Sequence, residues 1–169
     1  MESKLTNEFV AERIKAQFGD AVLSVETPYD MLTMEITPGQ IKEVISWIKK
    51  DEALSIAFLT LLGAVHYPDN TDREVAVVYH LHSWTNNFRI RLKAYIPISN
   101  PEIDSIVDIY SGANWLERET YDNLGVIFKG HPDLRRILNE DSMDYFPLRK
   151  EYHLEDATRE DKDDRFFGR

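Results

Sequence analysis

Apolar residues recur along the chain with two periods, and the switches between them predict its elements. Val10, Ile14 and Phe18 form one line of a helix that Thr6 or Asn7 caps and Gly19 ends. Ala21 to Glu26 reads as a strand, Thr27-Pro28-Tyr29-Asp30 as a turn, and Met31 to Ile36 as a second strand with Leu32, Met34 and Ile36 on one face. Thr37-Pro38 opens a second helix. Its buried stripe is Ile41, Val44, Ile45 and Ile48, broadened by Trp47, and Lys49-Lys50 close the last turn. Ser55 to Ala64 is mostly apolar, the pattern of a strand at the centre of a sheet. After a loop from His66 to Asn70, Glu74 to Ser83 alternates, with Val75, Val77, Tyr79 and Leu81 on one face and Ala76, Val78, His80 and His82 on the other. Phe88 to Ile96 alternates again, with Phe88, Ile90, Leu92 and Ala94 inward and Arg89, Arg91 and Lys93 outward. Asn100-Pro101 begins another helix, with Ile103, Ile106, Val107 and Tyr110 at helical spacing.

The order α-β-β-α-β-β-β, joined by short turns, implies an antiparallel or mixed sheet with helices on one face: an α+β two-layer sandwich. Three parts follow: an α+β body over 1–98, a helical docking segment over 99–143, and a C-terminal strap over 144–169. Past Lys150 the apolar pattern fails, and Glu155 through Asp164 is nearly all charged or small. Such a tail cannot bury itself. It is expected to be extended or disordered on its own, ordered only against other proteins, with Phe166 and Phe167 as anchors.

Composition narrows the classes. A net charge of −10 makes a general nucleic-acid binder a poor fit. The absence of cysteine excludes disulfides, thiolate zinc sites and iron–sulfur ligation by this chain. The longest nearly apolar run, Ile56 to Val65, is too short to span a bilayer, and Met1-Glu-Ser-Lys leads into a polar helix without a signal-peptide pattern. The expectation is a protein that meets a membrane only through partners.

Trp115 to Leu138 stands apart. Asn114 can cap a helix with Glu117 as its capping-box partner, and Gly125 can stop it as a C′ glycine. Apolar residues go round this helix instead of forming one stripe, so it is expected to be covered on several sides, with charges that need partners. Arg118 and Asp122 stand at i, i+4 and can pair. Gly125 to Gly130 runs extended, and His131-Pro132 opens a short second helix with Asp133 in its first turn and Arg135 and Arg136 in its last.

Glu117-Arg118-Glu119, Asp122, Gly125, Gly130-His131-Pro132, Leu134 and Arg135-Arg136 together resemble the signature of the 30 kDa-type subunit of proton-pumping NADH:quinone oxidoreductase, respiratory complex I. Phe146-Pro147-Leu148-Arg149-Lys150 is similar to the family's second motif. Asn123, where the family usually has a large apolar residue, and Glu151-Tyr152-His153, in place of Asp-aromatic-Pro, depart from the pattern. The resemblance implies a non-catalytic accessory subunit of the peripheral arm, packed on the large subunit that forms the quinone pocket, on the cytoplasmic side of the bacterial inner membrane. It implies no cofactor in this chain; flavin and iron–sulfur clusters belong to partner subunits, and NADH and quinone are substrates of the complex. The partner interface is expected to comprise Trp115, Glu117, Arg118, Glu119, Asp122, His131, Arg135, Arg136, Pro147, Arg149 and Lys150. The equivalent subunit of a membrane-bound hydrogenase or related dehydrogenase complex is the alternative.

The residues alone also suggest other chemistry. His80 and His82 share a strand face and can be a metal-ligand pair, with His66 or His131 as a third, which would make the chain a stand-alone metal-dependent enzyme. No carboxylate or third histidine stands at a supporting spacing, so two histidines on a solvated face is preferred. Glu117, Glu119 and Asp122 can serve acid–base chemistry, but the nearby arginines favour ion pairing. Gly125 and Gly130 have the spacing of a phosphate-binding loop, which His131-Pro132 rules out, since lysine and a hydroxyl residue are needed there.

Overall fold

The computed structural model describes residues 5–152. The first helix, α1 (Asn7–Phe18), is capped by Thr6, whose hydroxyl accepts the Phe9 N–H, and it ends at Gly19, as its sequence signals. A hairpin of β1 (Val22–Glu26) and β2 (Leu32–Ile36) follows, then α2 (Ile41–Lys50), entered through a single 3₁₀ turn at Pro38–Gln40. Three long strands come next: β3 (Phe58–His66), β4 (Val75–Ser83) and β5 (Phe88–Ile96). The remaining α-helix and strands among the described residues are β6 (Glu102–Asp104), α3 (Ala113–Leu124) and β7 (Ile127–Lys129).

The five-stranded sheet has the order β1-β2-β5-β4-β3. Neighbours are antiparallel except β2 and β5, which run parallel with Leu32 opposite Ile90 and Met34 opposite Leu92. The sheet is therefore mixed, with helices on one face, and the α+β two-layer reading holds. Alternation decides which side is inner. Leu32, Met34 and Ile36 of β2, Val75, Val77, Tyr79 and Leu81 of β4, and Ile90, Leu92 and Ala94 of β5 are fully buried against Val10 and Ile14 of α1 and the Ile41, Val44, Ile45, Ile48 stripe of α2. Each such aliphatic side chain contributes about 1.5–3 kcal/mol relative to exposure, which makes this shared core the main stabilising term.

Two expectations are corrected. The apolar run predicted to be a central strand is β3, and it lies at the sheet edge. Leu59 and Leu62 point inward and are buried, while Phe58, Leu61 and Val65 are 43%, 48% and 40% exposed. The run is apolar on both faces without being covered on both. The helix expected from Asn100-Pro101 does not form either. Glu102–Asp104 pairs in parallel with Ile127–Lys129, and only one turn follows, in which the Tyr110 N–H reaches the Ile106 carbonyl. The helical spacing of Ile103, Ile106 and Tyr110 is real, but it serves a strand end and a turn that bury the same residues. That turn is tied to α2: the Lys49 ammonium donates to the Ile109 carbonyl and lies over the Tyr110 ring, and Lys42 pairs with Asp108 at 3.0 Å.

The Tyr79 hydroxyl is buried without a hydrogen-bond partner among the described residues. Removing an unsatisfied buried hydroxyl relieves its desolvation penalty, about 1 kcal/mol or more. Tyr79→Phe is expected to raise the thermal unfolding midpoint by about 3 °C; a lower midpoint by calorimetry would mean that the hydroxyl makes a bond the fold uses.

Candidate functional site

The motif-bearing residues converge on α3 and the chain that returns over it from 131 to 150. Ala113, Glu117, Thr120 and Leu124 form the stripe of α3 that is buried, and small side chains at 113 and 120 let it lie close to β3. Arg118 and Asp122, on another side, are buried beneath the returning segment. The helix is covered on more than one side, as its pattern implied.

Its carboxylates have different fates. Glu117 does not close a capping box: α3 begins at Ala113 with no side-chain cap, and Glu117 turns inward. One carboxylate oxygen accepts the Ile106 N–H at 2.8 Å and the other accepts the Ser105 hydroxyl at 2.6 Å. Burial pushes this carboxyl up, against the two hydrogen bonds and the distant Lys42 charge that favour ionisation. Glu117 thus fixes the chain between β6 and α3.

Asp122 is the more heavily bonded group. One oxygen accepts three consecutive backbone N–H groups, from Ile137, Leu138 and Asn139, at 3.0, 2.7 and 3.0 Å. The other accepts Arg136 Nη1 at 2.8 Å and the Asn139 side-chain amide at 3.0 Å. Burial alone would raise its pKa, but the Asn139 and Leu138 N–H groups, the Asn139 amide and the Arg136 guanidinium outweigh it and hold the carboxyl well below the usual range. Arg136 also donates to the carbonyls of Asp122, Met143 and Tyr145, each at 2.9 Å.

This arrangement overturns the short helix expected from His131-Pro132. Residues 131–138 are irregular. The N–H groups that would continue a helix at 137–139 go to the Asp122 carboxylate, and His131 Nδ1 accepts the Asp133 N–H at 3.0 Å. His131 Nε2 lies 3.2 Å from the Asn114 carbonyl, so the neutral ring protonated on Nε2 satisfies both contacts. The expected i, i+4 pair of Arg118 with Asp122 is absent, because Asp122 is taken by Arg136. Arg118 Nε lies 3.4 Å from the Arg135 carbonyl, and its guanidinium sits over the Trp115 ring at 4.9 Å.

The second motif closes onto the C-terminus of α3. Arg149 Nε donates to the Leu124 carbonyl at 2.9 Å, placing a cation on the negative end of the helix. The guanidinium groups of Arg149 and Arg136 both lie over the Phe146 ring, at 4.6 and 5.1 Å. Gly125, in the left-handed region at φ 77°, is what permits this: a Cβ there would lie 2.6 Å from both Arg149 Nη2 and the Phe146 ring. The Lys150 N–H donates to His66 Nδ1 at the end of β3, at 3.0 Å. Residues 144–152 of the expected strap are thus folded against the body, through turns at Arg149 and Tyr152; the remainder of the strap, 153–169, lies outside the described residues.

Of the predicted interface residues, Glu117, Arg118 and Asp122 are buried, and Arg136 and Arg149 are mostly buried and bonded within the chain. Trp115, Glu119, Arg135 and Lys150 are exposed; His131 and Pro147 are intermediate. Trp115 and Arg135 sit on either side of Arg118 in one patch. Sequence reasoning missed Ser105, Asn139 and the role of Phe146. Ser105 and Asn139 lie in irregular chain, where no periodic signal marks them. Phe146 was visible as a motif residue, yet nothing in its spacing shows that two arginines meet its ring.

His80 and His82 do share the outer sheet face. His80 Nε2 accepts Arg91 Nε at 3.1 Å, so the lone pair a metal would need is engaged. Burial, then Arg91 and Arg89, lower the His80 pKa. His82 lies against Trp84, ring centroids 4.8 Å apart. Among the described residues no three histidines or carboxylates gather as a metal site.

Comparison with known proteins bears on this geometry. The family model described as respiratory-chain NADH dehydrogenase, 30 Kd subunit, matches residues 34–158, which includes both motifs. The chain is 41% identical over 150 residues to an NADH-quinone oxidoreductase subunit of a Nocardioides species, covering 86% of this chain and 60% of that one. To the protein of the same name from Geobacter metallireducens it is 38% identical over 148 residues, covering 88% and 90%. It spans about three fifths of the length of the Nocardioides and Mycolicibacterium gilvum relatives. Among solved structures, the trypsin-resistant fragment of Nqo5 superposes with a TM-score of 0.63 at 31% identity, covering 75% of this chain and 98% of the fragment. A chain of the membrane-bound sulfane sulfur reductase, an archaeal respiratory membrane complex, superposes at 0.73 with 21% identity, a likeness of fold alone.

Two carboxylates on one helix should respond oppositely to pH. Asp122 is held in its ionised form, so its contribution is complete above the ordinary carboxylate value of 3.8 and is lost as pH falls toward the depressed folded value. Asp122→Ala leaves the Arg136 charge without its counter-ion and three N–H groups without an acceptor, and is expected to cost about 3–5 kcal/mol at pH 7. Urea unfolding at pH 7 and pH 3 should show that difference shrinking in acid; an equal difference at both would contradict the assignment. Glu117 has a raised folded pKa, so its contribution is complete below the ordinary value of 4.5 and declines as pH rises through the folded value. Glu117→Gln keeps the hydrogen-bonding shape without the buried charge. It should flatten that decline and leave the protein at least as stable at pH 8, whereas a variant that unfolds more easily at pH 8 would show that the carboxylate is needed as an anion.

Proposed function

The chain belongs to the family of the respiratory-chain NADH dehydrogenase 30 Kd subunit, and from that membership we propose that it is a non-catalytic accessory subunit of the peripheral arm of an NADH:quinone oxidoreductase. In this reading it packs on the large subunit that forms the quinone pocket, on the cytoplasmic side of a bacterial inner membrane, and holds the quinone-reducing module together. Electron carriers and substrate pockets belong to its partners.

The observation that carries the reading is the Asp122 carboxylate. Five hydrogen bonds to its oxygens set the irregular 136–139 segment in one conformation, and Arg136 extends the hold to 143 and 145. An irregular segment that must present side chains to a partner loses conformational entropy on association unless its order is already built in. Here it is built in, and Trp115 and Arg135 are displayed beside it, a rigid aromatic next to a cation of the kind that anchors interfaces. The charged framework of the family's two motifs is used largely within the chain, and the exposed members beside it supply the contact. No helix among the described residues is long and apolar enough to cross a membrane, so membrane association is proposed to run through partner subunits.

The test is affinity purification of the tagged full chain from gently solubilised native membranes, with partner identification by mass spectrometry and an NADH:quinone assay. Recovery with flavin, iron–sulfur and membrane subunits that oxidise NADH is the expected result. Recovery alone, or with hydrogenase subunits and no NADH oxidation, would overturn it.

A further inference from the structure

The helices cover one face of the five-stranded sheet; the other is open and unevenly built. Register places Arg89, Arg91 and Lys93 of β5 on this outer face, beside His82, His80 and Val78 of β4. Glu35 of β2 stands opposite Lys93 but is already paired with Arg73 at 2.7 Å. Arg89, Arg91 and Lys93 have no ion-pair partner among the described residues, in a chain whose net charge is −10. Next to this cationic stripe, the face turns apolar at its edge. Phe58 stands opposite His82, and Leu61 opposite His80. Trp84, 70% exposed, packs on Phe58 with ring centroids 5.6 Å apart and on His82. His82 Nε2 is buried there with no partner among the described residues.

The edge itself is unusual. Phe58-Leu-Thr-Leu-Leu-Gly-Ala-Val-His66 carries no lysine, acid or proline, the residues by which exposed edges normally discourage pairing, and its only interruption is a bulge between Leu59 and Leu61. A water-facing surface does not usually combine a nine-residue edge without lysine or acid, three half-exposed apolar side chains and an exposed tryptophan in one place.

We propose that this outer face is a second docking surface, separate from α3, and that its occupant is an acidic segment of a partner polypeptide with an apolar anchor. The carboxylates would lie on Arg89, Arg91 and Lys93, and the anchor on Phe58, Leu61 and Trp84. Charge selects this occupant. A second copy of the chain meeting through this same face would bring its own arginine stripe against this one, whereas an acidic stretch neutralises cations that the fold leaves unpaired. The apolar edge supplies the buried centre that charge pairs alone lack. The inference deepens the functional reading above, since it takes the proposed complex as the place where the partner is found.

Because the chain has no cysteine, Leu61→Cys and Trp84→Cys each introduce its single thiol. Membranes carrying either tagged variant are treated with a benzophenone maleimide, irradiated, and the tagged adducts sequenced, with the cysteine-free parent as background and Trp115→Cys as a probe of the α3 side. The expected result is an adduct at an acid-rich stretch of another subunit from both outer-face positions, reduced about fivefold or more when Arg89→Glu and Arg91→Glu are added. Adducts with a second copy, with residues 153–169 of the same chain, with lipid only, or none above background would overturn the proposal. Loss of the outer-face adducts alone, with the Trp115→Cys adducts and NADH-oxidising partners retained, is failure of this inference and not of the functional reading; a parent chain recovered without such partners is failure of the latter.

Discussion

A carboxylate that accepts three consecutive backbone N–H groups organises the irregular chain that follows β7. Segments without helix or strand must find partners for their own amides, and burying them unpaired is costly. Asp122 solves this for residues 137–139 from a fixed place on α3, and Arg136 solves the matching problem for the carbonyls of 143 and 145. The pair is nearly desolvated, the regime in which an ion pair contributes little unless the remaining donors and acceptors are also bonded. Here they are bonded, and the result is an ordered loop.

Much of the body was legible because burial has a period. The stripes of α1 and α2 and the alternation of β2, β4 and β5 name the same residues that form the core. The two misread helices share one cause. Helical spacing at Ile103, Ile106 and Tyr110, and the helix start read at His131-Pro132, mark residues without stating where their backbone amides go. In both stretches acidic side chains on α3 took the amides: Glu117 that of Ile106, Asp122 those of 137–139. A carboxylate acting across the fold is invisible to a window of neighbouring residues. The edge position of β3 was hidden differently, since a run apolar on both faces reads as doubly covered whether or not a second layer exists.

The candidate site was legible as a set and not as an arrangement. The residues 117, 118, 119, 122, 135, 136 and 149 stood out by charge and motif, and they do gather around one helix. Which of them face inward was not available from spacing. Arg118 and Asp122 are well placed to pair along the helix, yet a third residue, Arg136, is the partner Asp122 takes, and Arg118 turns to Trp115.

Gly125 carries a consequence for inheritance. Its missing Cβ is the space into which Phe146 and Arg149 fit, so the first motif and the second, well separated in the chain, occupy one volume. A lineage that lost the glycine would have to reshape the aromatic and the arginine in the same step, and one that lost the aromatic alone would still meet Arg149 Nη2 and the left-handed backbone angle. Two stretches that look like separate signatures are, for natural selection, a single character.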